Sequence, residues 1–148
     1  MKIVDLFAGC GGLAEGFRQK GFQSLAFVEW NKHCIETLKA NYKENNQLPH
    51  PLFYETDVRD FDSYLRGNDN CLIEQLKGES VDGIIGGPPC QAYSLAGRIR
   101  DPNGMRDDYR NFLFEAYAEV IRELKPRFFV FENVSGMLSA KPGGIPVP

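Results

Sequence analysis

Metal- and redox-type residues are scarce in this chain. Its two histidines, His33 and His50, stand without any partner pattern for a metal ion or for catalysis. Its four cysteines fall at positions 10, 34, 71 and 90, too scattered for a zinc knuckle or a C-x-x-C pair, so no metal is expected. Positive charge is not in surplus either. Seventeen Lys and Arg against 20 Asp and Glu leave a formal net charge of −3, which argues against a chain whose own field captures nucleic acid. A nucleic-acid partner would have to be held by a local patch or by sequence outside these residues. No apolar run approaches the roughly 18 residues of a membrane span. Met1-Lys2-Ile3 leads straight into a strand-like segment rather than an export signal. The expectation is a soluble protein with reduced thiols in a cytosol and no membrane partner. A P-loop, a Ser-His-Asp arrangement and internal repeats are missing as well.

What is present describes one folded unit. The chain has 148 residues, a length that points to a single domain. A domain of this size buries roughly two thirds of its surface on folding. Apolar residues make up 43% of it, and 11 Phe with 6 Tyr supply core material, which excludes a disordered chain.

Strand and helix patterns alternate along the sequence. Ile3-Val4 and Leu6-Phe7 read as a short buried strand, followed by a glycine cluster and a helix near Leu13 to Lys20. Ser24 to Val28 reads as a second strand. Asn31 is a plausible N-cap for the next helix, whose apolar stripe is Ile35, Leu38 and Tyr42. Leu52-Phe53-Tyr54 predicts a third strand, Cys71 to Lys77 a short helix, and Val81 to Ile85 a fourth strand. The longest helix is predicted from about Asp108 to Lys125. Its apolar residues Leu113, Ala116, Tyr117, Val120, Ile121 and Leu124 follow offsets 0, 3, 4, 7, 8 and 11, and Pro126 stops it. Phe128 to Phe131 is the fifth strand. Apolar strands separated by amphipathic helices describe an α/β fold with a parallel, doubly wound sheet. The last eight residues, Lys141 to Pro148, include three Pro and two Gly and read as a loop, so the fold is expected to be incomplete.

Ligands of such a sheet bind beyond the carboxyl ends of its strands, where strand order reverses. The five predicted ends are all suited to that. Strand one runs into Phe7-Ala8-Gly9-Cys10-Gly11-Gly12, strand two ends in Glu29-Trp30 and strand three in Asp57. Strand four ends in Gly86-Gly87-Pro88-Pro89-Cys90, and strand five in Glu132-Asn133. Gly9-Cys10-Gly11-Gly12-Leu13-Ala14 satisfies G-x-G-x-x-A, whose glycines let backbone approach a ligand at the start of a helix. Glu29 stands where an acid accepts hydrogen bonds from ribose hydroxyls. Together they point to a nucleoside-containing cofactor; the alternative is a tight turn beside a solvent-facing Glu. Trp30 could stack on an adenine or anchor the core. Asp57 could bind an adenine amino group or cap a turn.

Two further residues carry reactive chemistry. Pro88 and Pro89 remove two backbone donors and fix the chain, presenting Cys90 at the sheet edge as a candidate nucleophile. A buried structural cysteine suits Cys34 and Cys71 better, since each sits in a helical stretch. Glu132, after four apolar residues, is expected to be desolvated and to hold a proton near neutrality. Between them, Ser94 to Arg110 is a Gly- and charge-rich loop that could close over a substrate and touch phosphates.

Asp5-Leu6-Phe7-Ala8-Gly9-Cys10-Gly11-Gly12, Pro88-Pro89-Cys90-Gln91 and Glu132-Asn133-Val134 resemble, in order and spacing, the signature blocks of cytosine-5 DNA methyltransferases. The resemblance covers essentially the whole chain, but only the first part of the family's domain. It implies a Rossmann-like S-adenosylmethionine-dependent methyltransferase fold with S-adenosyl-L-methionine as cofactor. By position, Phe7, Ala8, Gly9, Gly11, Gly12 and Leu13 would form the cofactor loop. Glu29 would hold the ribose, Trp30 would stack near the adenine, and Asp57 with Val58 would contact the base. Pro89 and Leu113 would complete the cofactor wall. Cys90 would be the nucleophile that adds to carbon 6 of a flipped cytosine, and Glu132 the group at ring nitrogen 3.

Residues 1–148 are accordingly expected to be the N-terminal part of a single cofactor-binding and catalytic domain. The family's later arginine block, target recognition region and C-terminal helix are absent, and these 148 residues alone are expected to turn over little or nothing. Double-stranded DNA is the implied substrate, a cognate restriction endonuclease an expected partner, and the cytoplasm, at the nucleoid, the expected location. A transfer RNA cytosine-5 methyltransferase shares the Cys and Glu blocks and stays open as an alternative. A nicotinamide oxidoreductase fits Gly9 to Ala14 and Glu29 but leaves Pro88-Pro89-Cys90 and Glu132 without a role. A binding-only relative is opposed by the intact Cys90 and Glu132.

Overall fold

A computed structural model describes residues 1–44, 50–66, 71–76, 78–89 and 113–134. Five strands, β1 (Lys2–Leu6), β2 (Gln23–Glu29), β3 (Leu52–Glu55), β4 (Gly83–Gly86) and β5 (Phe128–Phe131), form one sheet in the order β3-β2-β1-β4-β5. Every pairing is parallel. The chain therefore winds outward from β1 in one direction through β2 and β3. It then returns to the other side of β1 for β4 and β5, so strand order reverses between β1 and β4.

Helices cover both faces. On one side, α1 (Gly12–Arg18) and α2 (Lys32–Glu44) bring Ala14, Ile35, Leu38 and Tyr42 against Ile3, Phe27 and Ile85. On the other lie a 3₁₀ turn (Val58–Asp60), α3 (Asp62–Arg66), α4 (Leu72–Gln75) and α5 (Leu113–Leu124). Val58, Phe61, Leu65, Leu72, Tyr117 and Val120 pack there on Val4, Leu6, Ala26, Val28 and Ile84. Side chains alternate between faces along each strand, which is why both faces of this sheet must be apolar. The doubly wound α/β sheet expected from the sequence is the one observed.

Details depart from the sequence reading in a few places. The β1–β2 register slips between Ile3↔Ser24 and Val4↔Ala26, leaving Leu25 as a bulge residue. Leu25 and Ala26 consequently share one core face, while the Ser24 hydroxyl meets the Tyr42 hydroxyl at 2.9 Å on the other. The 3₁₀ turn and α3 are additional to the expected elements. The helix predicted from Cys71 starts at Leu72, with Cys71 at its N-cap. The long helix is seen from Leu113, with its stripe inward as predicted, and ends before Lys125, whose φ is +45°. Residues 108–112, 135–148 and the Ser94 to Arg110 loop lie outside the described residues.

Candidate active site

One carboxylate joins the first two strand ends. After β1 the backbone alternates into the left-handed region at Phe7 (φ +57°), Gly9 (+54°) and Gly11 (+88°). Gly11 in that conformation is the N-cap of α1. Phe7 holds it without being glycine, a strain of about 1–3 kcal/mol of the kind that persists where the surrounding structure imposes it. Glu29, at the end of β2 and only 6% exposed, supplies the restraint. Its Oε2 accepts from the Gly9 N–H at 2.9 Å and its Oε1 from the Asn31 N–H at 2.8 Å. The Glu29 carbonyl accepts from the Thr56 N–H at 3.1 Å, which adds the end of β3. The solvent-facing alternative for Glu29 is thereby set aside. Asn31 caps α2 as predicted, its Oδ1 accepting from the His33 N–H at 2.9 Å.

Trp30 follows immediately and is 70% exposed, so it does not anchor the core. A bare indole face beside a buried acid is what an aromatic ligand needs. At the end of β3 Asp57 does two things. It caps the 3₁₀ turn by accepting from the Arg59 N–H at 2.9 Å. It also takes the Arg59 guanidinium in a fork, Nε to Oδ1 at 3.0 Å and Nη2 to Oδ2 at 2.8 Å. The Arg59 side chain holds the Asp57 carboxyl below the usual carboxylate range. The side chain of Val58 is buried in the core, so this residue reaches a ligand only through its backbone.

The ends of β4 and β5 form a second pair. The Glu132 N–H donates to the Gly86 carbonyl at 2.9 Å, and Asn133 Nδ2 to the Pro88 carbonyl at 3.3 Å. A Cβ built on Gly87 would lie 2.7 Å from Glu132 Oε2, so the absence of a side chain at 87 is what admits this carboxylate. Glu132 is exposed in the described structure, where the sequence suggested a desolvated acid. The reason is that β5 is an edge strand with nothing beyond it among the described residues. Pro89 is half-buried and Leu113 buried; Cys90 and the loop after it lie outside the described residues.

One residue quoted in the first signature block was given no role in the sequence reading. Asp5 lies inside β1 between Phe27 and Ile85, is 1% exposed, and its Oδ2 finds no hydrogen-bond partner among the described residues. Burial, then the Glu29 charge, pushes its carboxyl well above the ordinary range. A charged letter inside an apolar strand was the available signal. The cysteines also sort differently. Cys71 is buried, but Cys34 is only partly covered and lies beside exposed Cys10.

The loop side is open to a ligand. A Cβ added at Gly9 or Gly12 would meet nothing within 4 Å, so the backbone of the turn is bare. Among the described residues no group of three or more His, Cys, Asp or Glu side chains could hold a metal ion. No described helix is long and apolar enough to cross a membrane.

A family profile described as C-5 cytosine-specific DNA methylase matches residues 1–145. The Type II methyltransferase M.NgoPII of Neisseria gonorrhoeae is 40% identical across 97% of this chain and 36% of its own length. The Type II methyltransferase M.Bpa9945I of Bacillus paralicheniformis is 35% identical across 98% of this chain and 43% of its own. Among solved structures, an Escherichia coli protein described as a prophage-encoded DNA modification methyltransferase superposes with a TM-score of 0.67 at 35% identity. It covers 93% of this chain and 33% of itself. The PH0226 protein of Pyrococcus horikoshii, at 20% identity and a TM-score of 0.51 over 89% of this chain and 48% of its own, shares the fold. The chain spans about a third to a half of the length of the relatives it matches.

Proposed function

The chain belongs to the C-5 cytosine-specific DNA methylase family, and from that premise we propose that it carries the cofactor-binding and nucleophile-bearing part of a DNA (cytosine-5-)-methyltransferase. The observation that carries this reading is Glu29, buried, gripping the Gly9 N–H of the glycine loop and flanked by exposed Trp30. That is a preformed seat for a nucleoside. The bare backbone at Gly9 and Gly12 leaves space for the rest of S-adenosyl-L-methionine. Phe7, Ala8, Gly9, Gly11, Gly12 and Leu13 line it, Glu29 takes the ribose hydroxyls, Trp30 stacks on adenine, and Asp57 with the Val58 backbone meets the base edge. Pro89 and Leu113 form the remaining wall. When bound, the cofactor supplies an electrophilic methyl group on a sulfonium.

The chain's own residues prepare the cytosine to accept it. Carbon 5 of the aromatic ring is a poor nucleophile. Addition of the Cys90 thiolate to carbon 6 breaks the aromaticity and leaves carbon 5 electron-rich. Glu132 donates a proton or strong hydrogen bond to ring nitrogen 3, where negative charge develops. After methyl transfer, loss of the carbon 5 proton expels the Cys90 thiolate and restores the ring. The base must first leave the duplex, since these groups cannot reach it in the stack. By the family resemblance, the Ser94 to Arg110 loop would be the segment that closes over it.

The target recognition region and the helix that completes the cofactor site fall outside residues 1–148 in this reading. The net charge of −3 agrees with most DNA contacts being made elsewhere. Relatives that are Type II methyltransferases support a restriction–modification role; a cognate endonuclease as partner and a place in the cytoplasm at the nucleoid belong to the same proposal. Thermal unfolding with S-adenosylhomocysteine and with NAD, side by side, tests the cofactor assignment. A ligand at 100 times its dissociation constant stabilises the fold by about 2.7 kcal/mol. A shift with S-adenosylhomocysteine alone is expected; a shift with NAD alone refutes the reading.

A further inference from the structure

Glu29 draws the glycine loop and the start of α2 together, and that brings two thiols face to face. Cys10 Sγ lies 3.6 Å from Cys34 Sγ, with Cys10 exposed and Cys34 partly covered. Neither sulfur takes part in the methyl-transfer chemistry. Their anchors are held from both sides. Gly9 is tied to Glu29 and Gly11 heads α1, while the Cys34 N–H is bonded to Asn31 Oδ1 at 3.4 Å in the first turn of α2. The two sulfurs need to approach by only about 1.5 Å more to reach bonding distance. Burial, then the hydrogen bond with Cys10, pushes the Cys34 thiol up, so exposed Cys10 is the sulfur that meets a reagent first.

We propose that Cys10 and Cys34 are a modification site: a dithiol that a low-molecular-weight disulfide such as oxidised glutathione closes into an intramolecular disulfide across the base of the cofactor loop. The Cys10 thiolate attacks one sulfur of the reagent, forming a mixed disulfide and expelling one thiolate. The Cys34 thiolate then attacks the Cys10 sulfur of that mixed disulfide and expels the second. Two protein thiols are oxidised and one reagent disulfide is reduced to two thiols, which take up the two protons the cysteines release. The functional consequence rests on the methyltransferase reading. A bond to α2 fixes the peptide between Gly9 and Gly11 in the loop assigned to the cofactor, so the oxidised chain takes S-adenosylhomocysteine less well.

The test is intact-mass analysis after treatment with oxidised glutathione, with and without Cys34→Ser. In the native chain positions 10 and 34 are expected to lose about 2 Da together with no adduct retained on either, and peptide mapping to join them. Cys34→Ser, at a partly exposed site, is expected to keep a glutathione adduct on Cys10. A stable adduct on Cys10 in the native chain, or a bridge to Cys71 or Cys90 instead, overturns the proposal. In the same samples the midpoint shift with S-adenosylhomocysteine is expected to fall at least twofold on oxidation and to return with dithiothreitol. A Cys10–Cys34 bridge that leaves the shift unchanged overturns the functional consequence. A reduced chain that shows no shift at all counts against the cofactor assignment, and the mass result still decides the dithiol.

Discussion

Gly86 is the last residue of β4 and pairs with Leu6, the last residue of β1, at the reversal point of the sheet. A Cβ there would stand 2.3 Å from the Leu6 carbonyl oxygen and 3.0 Å from Tyr117 Cε2. Comfortable carbon–oxygen contact is about 3.3 Å or more, so β1 and β4 would have to separate by nearly the difference. Leu6 is backbone of the central strand and cannot swing aside as a side chain would. Overpacking a rigid site costs about 1–3 kcal/mol, and Gly86→Ala belongs at the upper end of that range. For a chain of this length that is a fall in midpoint of about 5–10 °C. Gly16→Ala is the control. Gly16 lies within α1 and an added Cβ meets nothing within 4 Å, so the same chemical change is expected to stabilise by about 0.5–1 kcal/mol. Urea unfolding of both variants, read by far-ultraviolet circular dichroism, gives the two signs. Gly86→Ala within about 0.5 kcal/mol of the native chain, the range of an ordinary surface substitution, refutes the close-approach argument.

Four other outcomes follow from the geometry. Tyr117 is buried and its hydroxyl donates to the Ile84 and Val130 carbonyls at 3.1 and 3.0 Å; Tyr117→Phe is expected to cost about 1–2 kcal/mol in urea unfolding. Trp30→Ala is expected to leave the midpoint within about 2 °C, because the ring is exposed, while weakening S-adenosylhomocysteine about tenfold by calorimetry through the lost stacking. Glu29→Gln turns an amide NH₂ toward one of two backbone N–H donors; a loss of about 1.5–3 kcal/mol is expected, together with weaker cofactor binding. Asp5, its carboxyl raised by burial and then by Glu29, binds a proton more readily folded than unfolded. The stability this proton contributes is complete below the ordinary value of 3.8 and is lost as pH rises through the raised value. Asp5→Asn removes that loss, so the stability difference between variant and native chain is expected to grow in the variant's favour as pH rises above about 4; a constant difference contradicts it.

The elements that depend on a repeating pattern were legible in the sequence. Leu113, Tyr117 and Val120 announce α5 by spacing alone, and the Asn31 cap marks α2, because both signals are local. The bulge at Leu25 leaves no trace, since a one-residue slip inside the apolar run from Leu25 to Val28 still reads as apolar. The helix of α3 spans five residues, too few to show a period. At the site, spacing picked out Glu29 and Trp30, but only the folded chain shows Glu29 bonded to Gly9 across 20 residues and Trp30 facing out. The fork between Arg59 and Asp57 and the contact of Cys10 with Cys34 come from how loops pack, and residue type alone does not fix that. Glu132 was placed at the right strand end; among the described residues β5 is the edge of the sheet and the side chain is exposed, which a run of four apolar residues does not foretell. Cys90 falls outside the described residues, so its position rests on the motif.

The central place of β1 has a consequence for synthesis. This strand leaves the ribosome before the other four described strands, yet one of its two neighbours is encoded about 80 residues later, the separation bridged by the bond from the Lys2 N–H to Asp82 Oδ2. At typical elongation rates of about 5–20 residues per second, the nascent chain holds β1 for roughly 4–16 s with one edge unsatisfied. During that interval the elements encoded before β4 can cover the faces of Ile3, Val4 and Leu6, but no strand pairs with their second edge. The unit β1-α1-β2-α2 must therefore shelter its own open edge, or be sheltered, until β4 arrives, and variants that loosen α1 or α2 are expected to lower soluble yield by more than their equilibrium stability would imply.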